Sequence, residues 1–136
     1  MDFDTIPAEL NLNQSWDKRV DGFWLVAPDL DVEKLTVWMM AHQARFVTIT
    51  AQPTSGKECR MEYHWDMEGQ LLTFVTQTRG GSIASIYALC PASDWAEREV
   101  HDYFAVDFLG RKNIPPLMLR PEDRPGIFLR NGDKKP

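Results

Sequence analysis

The stretch from 58 to 78 leaves the chain less freedom than any other. Residues 58–65 alternate, with Cys59, Met61, Tyr63 and Trp65 on one side and Glu58, Arg60, Glu62 and His64 on the other. A period of two places each set on its own face of an extended strand, one face buried and one polar. Asp66-Met-Glu-Gly69 carries turn chemistry. In 70–78 the alternation resumes, with Leu72, Phe74 and Thr76 sharing one face and Leu71, Thr73 and Val75 the other. The pair reads as a β-hairpin.

What precedes it reads as a strand–helix–strand crossover. Residues 20–27 have strand composition and end at Pro28. Asp29 or Asp31 then caps a helix to about Ala44, with Val32, Leu35, Trp38, Met39 and His42 at helical spacing. Residues 46–51, F-V-T-I-T-A, form the next strand. After the hairpin, Arg79-Gly80-Gly81 breaks the sheet, and 82–90, apolar or small on both faces, suits a central strand. The fold class is therefore α+β: a mixed, largely antiparallel sheet of about five strands with two principal helices on it, followed by an extended Pro-rich basic C-terminal tail. The division is an arm over 1–19, a domain over 20–110 and the tail over 111–136.

Several function classes fall away. The chain has 136 residues, enough for one core, and its net charge of −5 is unlike a nucleic-acid surface. Cys59 and Cys90 belong to no C-x-x-C or Cys/His cluster, so neither a disulfide framework nor a metal site is expected. His42 reads as a histidine at the core edge that closes its helix, and His64 as a hydrogen-bonded residue of the polar face. Arg79-Gly80-Gly81 lacks the G-x-G-x-x-G spacing of a dinucleotide loop and precedes a strand. The longest apolar run, 23–28, is far short of the ~20 residues that cross a bilayer. The acidic start M-D-F-D-T is unlike a signal peptide. A cytoplasmic chain that meets a membrane only through partners is expected.

The densest charge lies in 91–110. Asp94 and Glu97 have the spacing of a capping box, starting a helix whose apolar stripe is Ala96, Val100, Tyr103 and Phe104. Asp94 with Arg98, Arg98 with Asp102 and Glu97 with His101 are each four apart, and such surface pairs contribute about 0.2–0.5 kcal/mol apiece. So small a sum does not explain the block E-R-E-V-H-D. Three uses remain: a solvated face, a catalytic group of His101 with Glu97 or Glu99 in a free-standing enzyme, or a docking helix that sets register against another chain. A stand-alone binding module is a further alternative.

The run W-A-E-R-E-V-H-D-Y-F-A-V-D-F-L-G resembles the signature of the thirty-kilodalton subunit family of respiratory NADH dehydrogenase, complex I. Trp95, Glu97, Arg98, Glu99, Val100, Asp102, Phe104, Val106, Phe108 and Gly110 fall in place. The pair His101-Asp102 is similar to the branch found in energy-converting, membrane-bound nickel–iron hydrogenases. Ala105 departs from the family's usual Gly, and Gly110-Arg111-Lys112 from its usual Gly-His-Pro. The resemblance implies an accessory, non-catalytic subunit of the hydrophilic arm of a membrane-bound oxidoreductase, peripheral on the inner face of the cell membrane. It implies docking on the large, hydrogenase-like (forty-nine-kilodalton-like) subunit beside a small iron–sulfur subunit. Iron–sulfur clusters, a nickel–iron centre or quinone would belong to those neighbours, with no cofactor in this chain. The expected interface is Trp95, Glu97, Arg98, Glu99, His101, Asp102, Phe104, Phe108 and Gly110. Reversing the charges of Glu97 and Arg98 together is expected to block assembly and leave the melting temperature nearly unchanged.

From 111 onward seven basic residues face three acidic ones, a balance of +4, which leaves −9 for 1–110. Five prolines argue against regular structure, while Ile114, Leu117, Met118, Leu119, Ile127, Phe128 and Leu129 give the tail more apolar content than disorder needs. A tail packed along its own domain or a partner is expected, with contacts from Arg111, Arg120, Arg124 and Arg130.

Overall fold

The computed structural model describes residues 2–129. In chain order the elements are helix α1 (Ile6–Glu9), strands β1 (Asp17–Arg19) and β2 (Gly22–Val26), helix α2 (Val32–Ala41), strands β3 (Arg45–Pro53), β4 (Cys59–Met67), β5 (Gln70–Gln77) and β6 (Ser82–Ala84), helix α3 (Asp94–Phe104) and strand β7 (Asp107–Leu109).

The hairpin forms as its alternation requires. In β4 and β5, Trp65 faces Leu72, Tyr63 faces Phe74 and Met61 faces Thr76. Tyr63, Trp65, Leu72 and Phe74 are completely buried. Leu72 and Phe74 so buried contribute about 1.5–3 kcal/mol each, while the Tyr63 hydroxyl and Trp65 Nε1, buried without a hydrogen-bond partner among the described residues, offset part of what their rings give. Glu68 and Gly69 both take positive φ, 54° and 83°, the backbone that matches a two-residue turn to the twist of its strands. Asp66 accepts the Gly69 N–H at 3.0 Å and steadies it.

The sheet order is β1-β2-β5-β4-β3. β2 pairs parallel with β5, so the crossover through α2 skips two positions and lands β3 on the far edge. Asp31 caps α2 by accepting the N–H groups of Glu33 and Lys34, both at 3.1 Å. α2 buries Val32, Leu35 and Met39 in the common core. His42 closes it, its ring stacked on Trp38 with 3.7 Å between centroids and Nδ1 2.8 Å from the Trp38 carbonyl.

Two expectations are corrected. Residues 82–90 are not a central strand. Only Ser82–Ala84 is extended, and it pairs parallel with β7 in a separate two-stranded sheet. Beyond it the chain turns, with the Leu89 and Cys90 N–H groups donating to the Ile86 carbonyl at 3.1 and 2.8 Å. Ile86 faces the core, but Tyr87 and Leu89 are 41% and 40% exposed, so apolar composition on both faces did not mean burial on both faces. The fifth strand of the main sheet is instead β1, which sequence reading placed in the arm. At Gly22 a Cβ would come within 2.7 Å of the Leu71 carbonyl oxygen, so glycine is what lets β2 enter the sheet beside β5. The segment before β1 also packs inward: Ile6 is buried, and Trp16 donates to the Phe3 carbonyl at 2.7 Å while its ring meets Phe74 at 5.3 Å.

Candidate interaction site around helix α3

A single turn of tight helix over Pro91–Ser93 runs directly into α3. Its backbone bonds occupy the entry amides: the Ser93 N–H donates to the Cys90 carbonyl at 2.9 Å, and the Asp94 N–H to that of Pro91. The expected capping box of Asp94 and Glu97 is therefore not formed, and both carboxylates are free to reach elsewhere.

Glu97 turns inward and is 0% exposed. It accepts from the Ser85 hydroxyl at 2.7 Å, the Ile86 N–H at 2.8 Å and Arg111 Nη1 at 3.2 Å. Burial lifts its pKa by more than those three bonds lower it. Asp94 goes the other way. Burial pushes its carboxyl up, but hydrogen bonds and charges from Arg111 and Arg98 outweigh that and hold it below the usual range. Arg111, whose side chain is nearly buried, bridges Asp94 and Glu97 with its guanidinium 4.3 Å above the Tyr87 ring. A planar fork suits that bridging, and a lysine ammonium would not reproduce it.

The next turns of α3 hold the tail. Arg98 donates to Asp94 at 3.1 Å and to the carbonyls of Pro115 and Pro116 at 3.2 and 2.8 Å. Asp102 is 1% exposed. Its Oδ2 accepts the N–H groups of Leu117, Met118 and Leu119 at 2.9, 2.8 and 3.3 Å. Its backbone carbonyl takes the Gly126 N–H at 2.8 Å. Phe128 lies 4.5 Å from the Tyr103 ring and 5.7 Å from that of Phe104. One helix face thus clamps a proline-rich segment that has no regular structure through most of its length.

Of the three expected pairs at i, i+4, only Asp94 with Arg98 exists. Asp102 is taken by the tail amides, and Glu97 by Ser85, Ile86 and Arg111. His101 has its Nδ1 2.9 Å from the Val106 carbonyl, and no hydrogen bond joins it to Glu97 among the described residues. Charge reversal at Glu97 would put an arginine into a closed, fully occupied pocket. That variant is therefore expected to lower the melting temperature instead of leaving it nearly unchanged, because Glu97 is buried and fully bonded.

The remaining residues of the expected interface are scattered. Trp95 is 70% exposed, Glu99 is partly buried, Phe108 is in the core and Gly110 turns the chain out of β7 at a φ of 89°. In the tail, Arg120 binds Asp123 at 3.0 Å, Arg124 is exposed, and Arg130 lies outside the described residues. Sequence reading missed Ser85, the Ile86 amide and the 117–119 amides. Backbone amides carry no residue signature, and the Ser85 hydroxyl, twelve residues from Glu97, belongs to no spacing pattern that would have marked it.

No group of three His, Cys, Asp or Glu able to hold a metal occurs among the described residues. The Gly80 and Gly81 N–H groups, an anion-binding arrangement in principle, already hold the Glu58 carboxylate at 2.7 and 3.0 Å. No helix among the described residues is long and apolar enough to cross a membrane.

Fold and clamp together define an α+β module built around a charged helix that fastens its own C-terminal segment. The chain belongs to the family described as respiratory-chain NADH dehydrogenase, 30 Kd subunit, whose model matches residues 27–132. It is 38% identical over 63 residues to the NAD(P)H-quinone oxidoreductase subunit J of Prochlorococcus marinus (strain MIT 9215), covering 46% of this chain and 35% of that one. To subunit J of strain NATL1A it is 33% identical over 82 residues, covering 60% and 41%. The matched stretch thus spans about a third to two fifths of these curated relatives. Among solved structures, the trypsin-resistant fragment of Nqo5 matches with a TM-score of 0.65 at 17% identity, covering 86% of this chain and 100% of the fragment. A chain of the archaeal membrane-bound sulfane sulfur reductase, a respiratory membrane complex, matches with a TM-score of 0.67 at 20% identity, covering 88% and 76%. At these identities the two structures bear out the fold.

Proposed function

We propose that the chain is an accessory, non-catalytic subunit in the hydrophilic arm of a membrane-bound respiratory oxidoreductase, peripheral on the inner face of the cell membrane. It docks on the large, hydrogenase-like subunit beside a small iron–sulfur subunit, and redox cofactors sit in those neighbours. The observation that carries this reading is the family match, which runs from the end of β2 through the clamped tail. The clamp supports it physically: with Glu97 and the Oδ2 oxygen of Asp102 bonded inside the chain, α3 and the tail are joined along one edge, and Trp95 projects from its first turn. Large exposed aromatics at the centre of an interface carry much of its binding energy.

Gentle detergent extraction of the native membrane, a native gel and mass spectrometry of the band holding this chain test the proposal. Co-migration with a hydrogenase-like large subunit and an iron–sulfur subunit is expected. Recovery of the native chain alone, with turnover abolished by His101→Ala, would show it to be a free-standing enzyme instead.

A further inference from the structure

A groove at the carboxyl ends of β2 and β5 has no part in the α3 clamp. Two adjoining depressions, of about 480 and about 450 Å³, share Pro28, Thr76 and Gln77 where β2 and β5 end. Arg19 and Arg60 line the first, and Arg79 lines the second together with Asp29, to which it is paired. The lining is mixed, with Thr76 and Gln77 polar and Val75 buried. Val26 in the first depression and Leu109 in the second are 50% and 53% exposed.

The guanidinium groups are only partly used. Arg60 gives Nη2 to Glu62 at 3.2 Å while its Nε is buried with no acceptor. Arg19 pairs with Asp17 at 2.8 Å and lies 4.4 Å above the Trp24 ring, which holds its plane in place. An arginine has five donors in a fixed fork. The Arg19–Asp17 pair is exposed on both sides and holds its partner weakly, so Arg19 keeps oriented donors for an incoming carboxylate, and the partly exposed guanidinium end of Arg60 stands beside it on the same lining. The first depression is lined by two arginines and no acid.

We propose that this groove docks an extended segment of a neighbouring polypeptide that carries carboxylates for Arg19 and Arg60 and aliphatic side chains for Val26 and Leu109. The groove's two joined parts, each with an exposed apolar side chain, fit a length of chain rather than a small anion. The protein's net charge of −5 works against an anionic bilayer. The inference rests on the subunit reading and names a second contact with the complex, apart from Trp95.

The test places p-benzoylphenylalanine at position 26 or 109 of the full chain in its native membrane complex, with crosslinked peptides mapped by mass spectrometry. Both probes are expected on one stretch of one neighbouring chain, containing Asp or Glu. Arg60→Glu and, separately, Arg19→Glu should cut the yield roughly tenfold while Arg60→Lys keeps most of it. Using both positions guards against one variant failing to fold. Crosslinks to a second copy of this chain, to a stretch without acids, or with yields indifferent to both reversals would overturn the proposal. So would sedimentation with phosphatidylglycerol vesicles that depends on Arg60. If the chain co-migrates with the complex and neither probe reacts, the groove alone fails. If it migrates alone, the subunit reading fails and takes the groove with it.

Discussion

Ala105 ends α3 in the left-handed region, at φ 55° and ψ 30°, with its N–H donating to the His101 carbonyl at 2.9 Å. A side chain with a Cβ is strained there, and glycine is the residue that helices favour at this position. Ala105→Gly is expected to stabilise the protein by about 0.5–1 kcal/mol, the relief of strain exceeding the extra freedom of the unfolded chain. Urea unfolding checks it, and a lower midpoint would show that the Ala105 methyl makes packing worth more than the strain. Glu58 gives a pH test. The Thr78 hydroxyl, foremost, then the Gly81 and Gly80 amides hold its pKa below the ordinary 4.5. Its stabilisation is therefore complete above pH 4.5 and lost as pH falls through the folded value. Glu58→Gln should flatten the acid side of the stability curve, and an unchanged slope in thermal melts between pH 5 and pH 3 would refute the assignment. Glu97 has the opposite sign. Lifted by burial, it lowers stability as pH rises from its unfolded towards its folded pKa.

At the scale of elements, α3 and the tail are one unit joined at a carboxylate. Asp102→Ala leaves three amides at 117–119 without their acceptor, a loss of about 2–3 kcal/mol localised in the tail. Hydrogen exchange at those amides should rise towards unprotected rates while the β4–β5 amides stay protected. Equal loss in both places would mean that Asp102 supports the whole core. How far this was legible depends on the kind of interaction. The hairpin could be read because alternation is a property of neighbours in sequence, and α2 because Asp31 and the amides it caps lie within three residues. α3 itself could be read from its stripe of Ala96, Val100, Tyr103 and Phe104. Its charges could not, because Glu97 and Asp102 bond to groups 11 to 17 residues away. Spacing of i, i+4 says who is near on the helix surface, and a buried backbone amide outcompetes such a neighbour.

For the whole molecule, the question is which surfaces remain once the clamp has closed. Trp95 is the large aromatic it leaves most exposed. Trp95→Ala is expected to alter the isolated chain's stability by less than about 0.5 kcal/mol and to weaken assembly by a factor of ten or more. Thermal melts alongside native gels of the reconstituted complex separate the two effects. Full assembly by the variant would put the contact elsewhere. The basic balance of the tail, opposite in sign to the body of the chain, has a partial account in the same terms: Arg111 is nearly buried between Asp94 and Glu97 and serves the fold.

Sequence alone determined the hairpin, the crossover helix, the amphipathic α3 and the family, because each rests on periodicity or on a motif read along the chain. Only tertiary structure decided that β1 rather than 82–90 completes the sheet, and that the acids of α3 face inward to the tail and to Arg111. Burial and hydrogen-bond partnership depend on which distant backbone groups arrive beside a side chain, and no local pattern of residue types encodes that arrival.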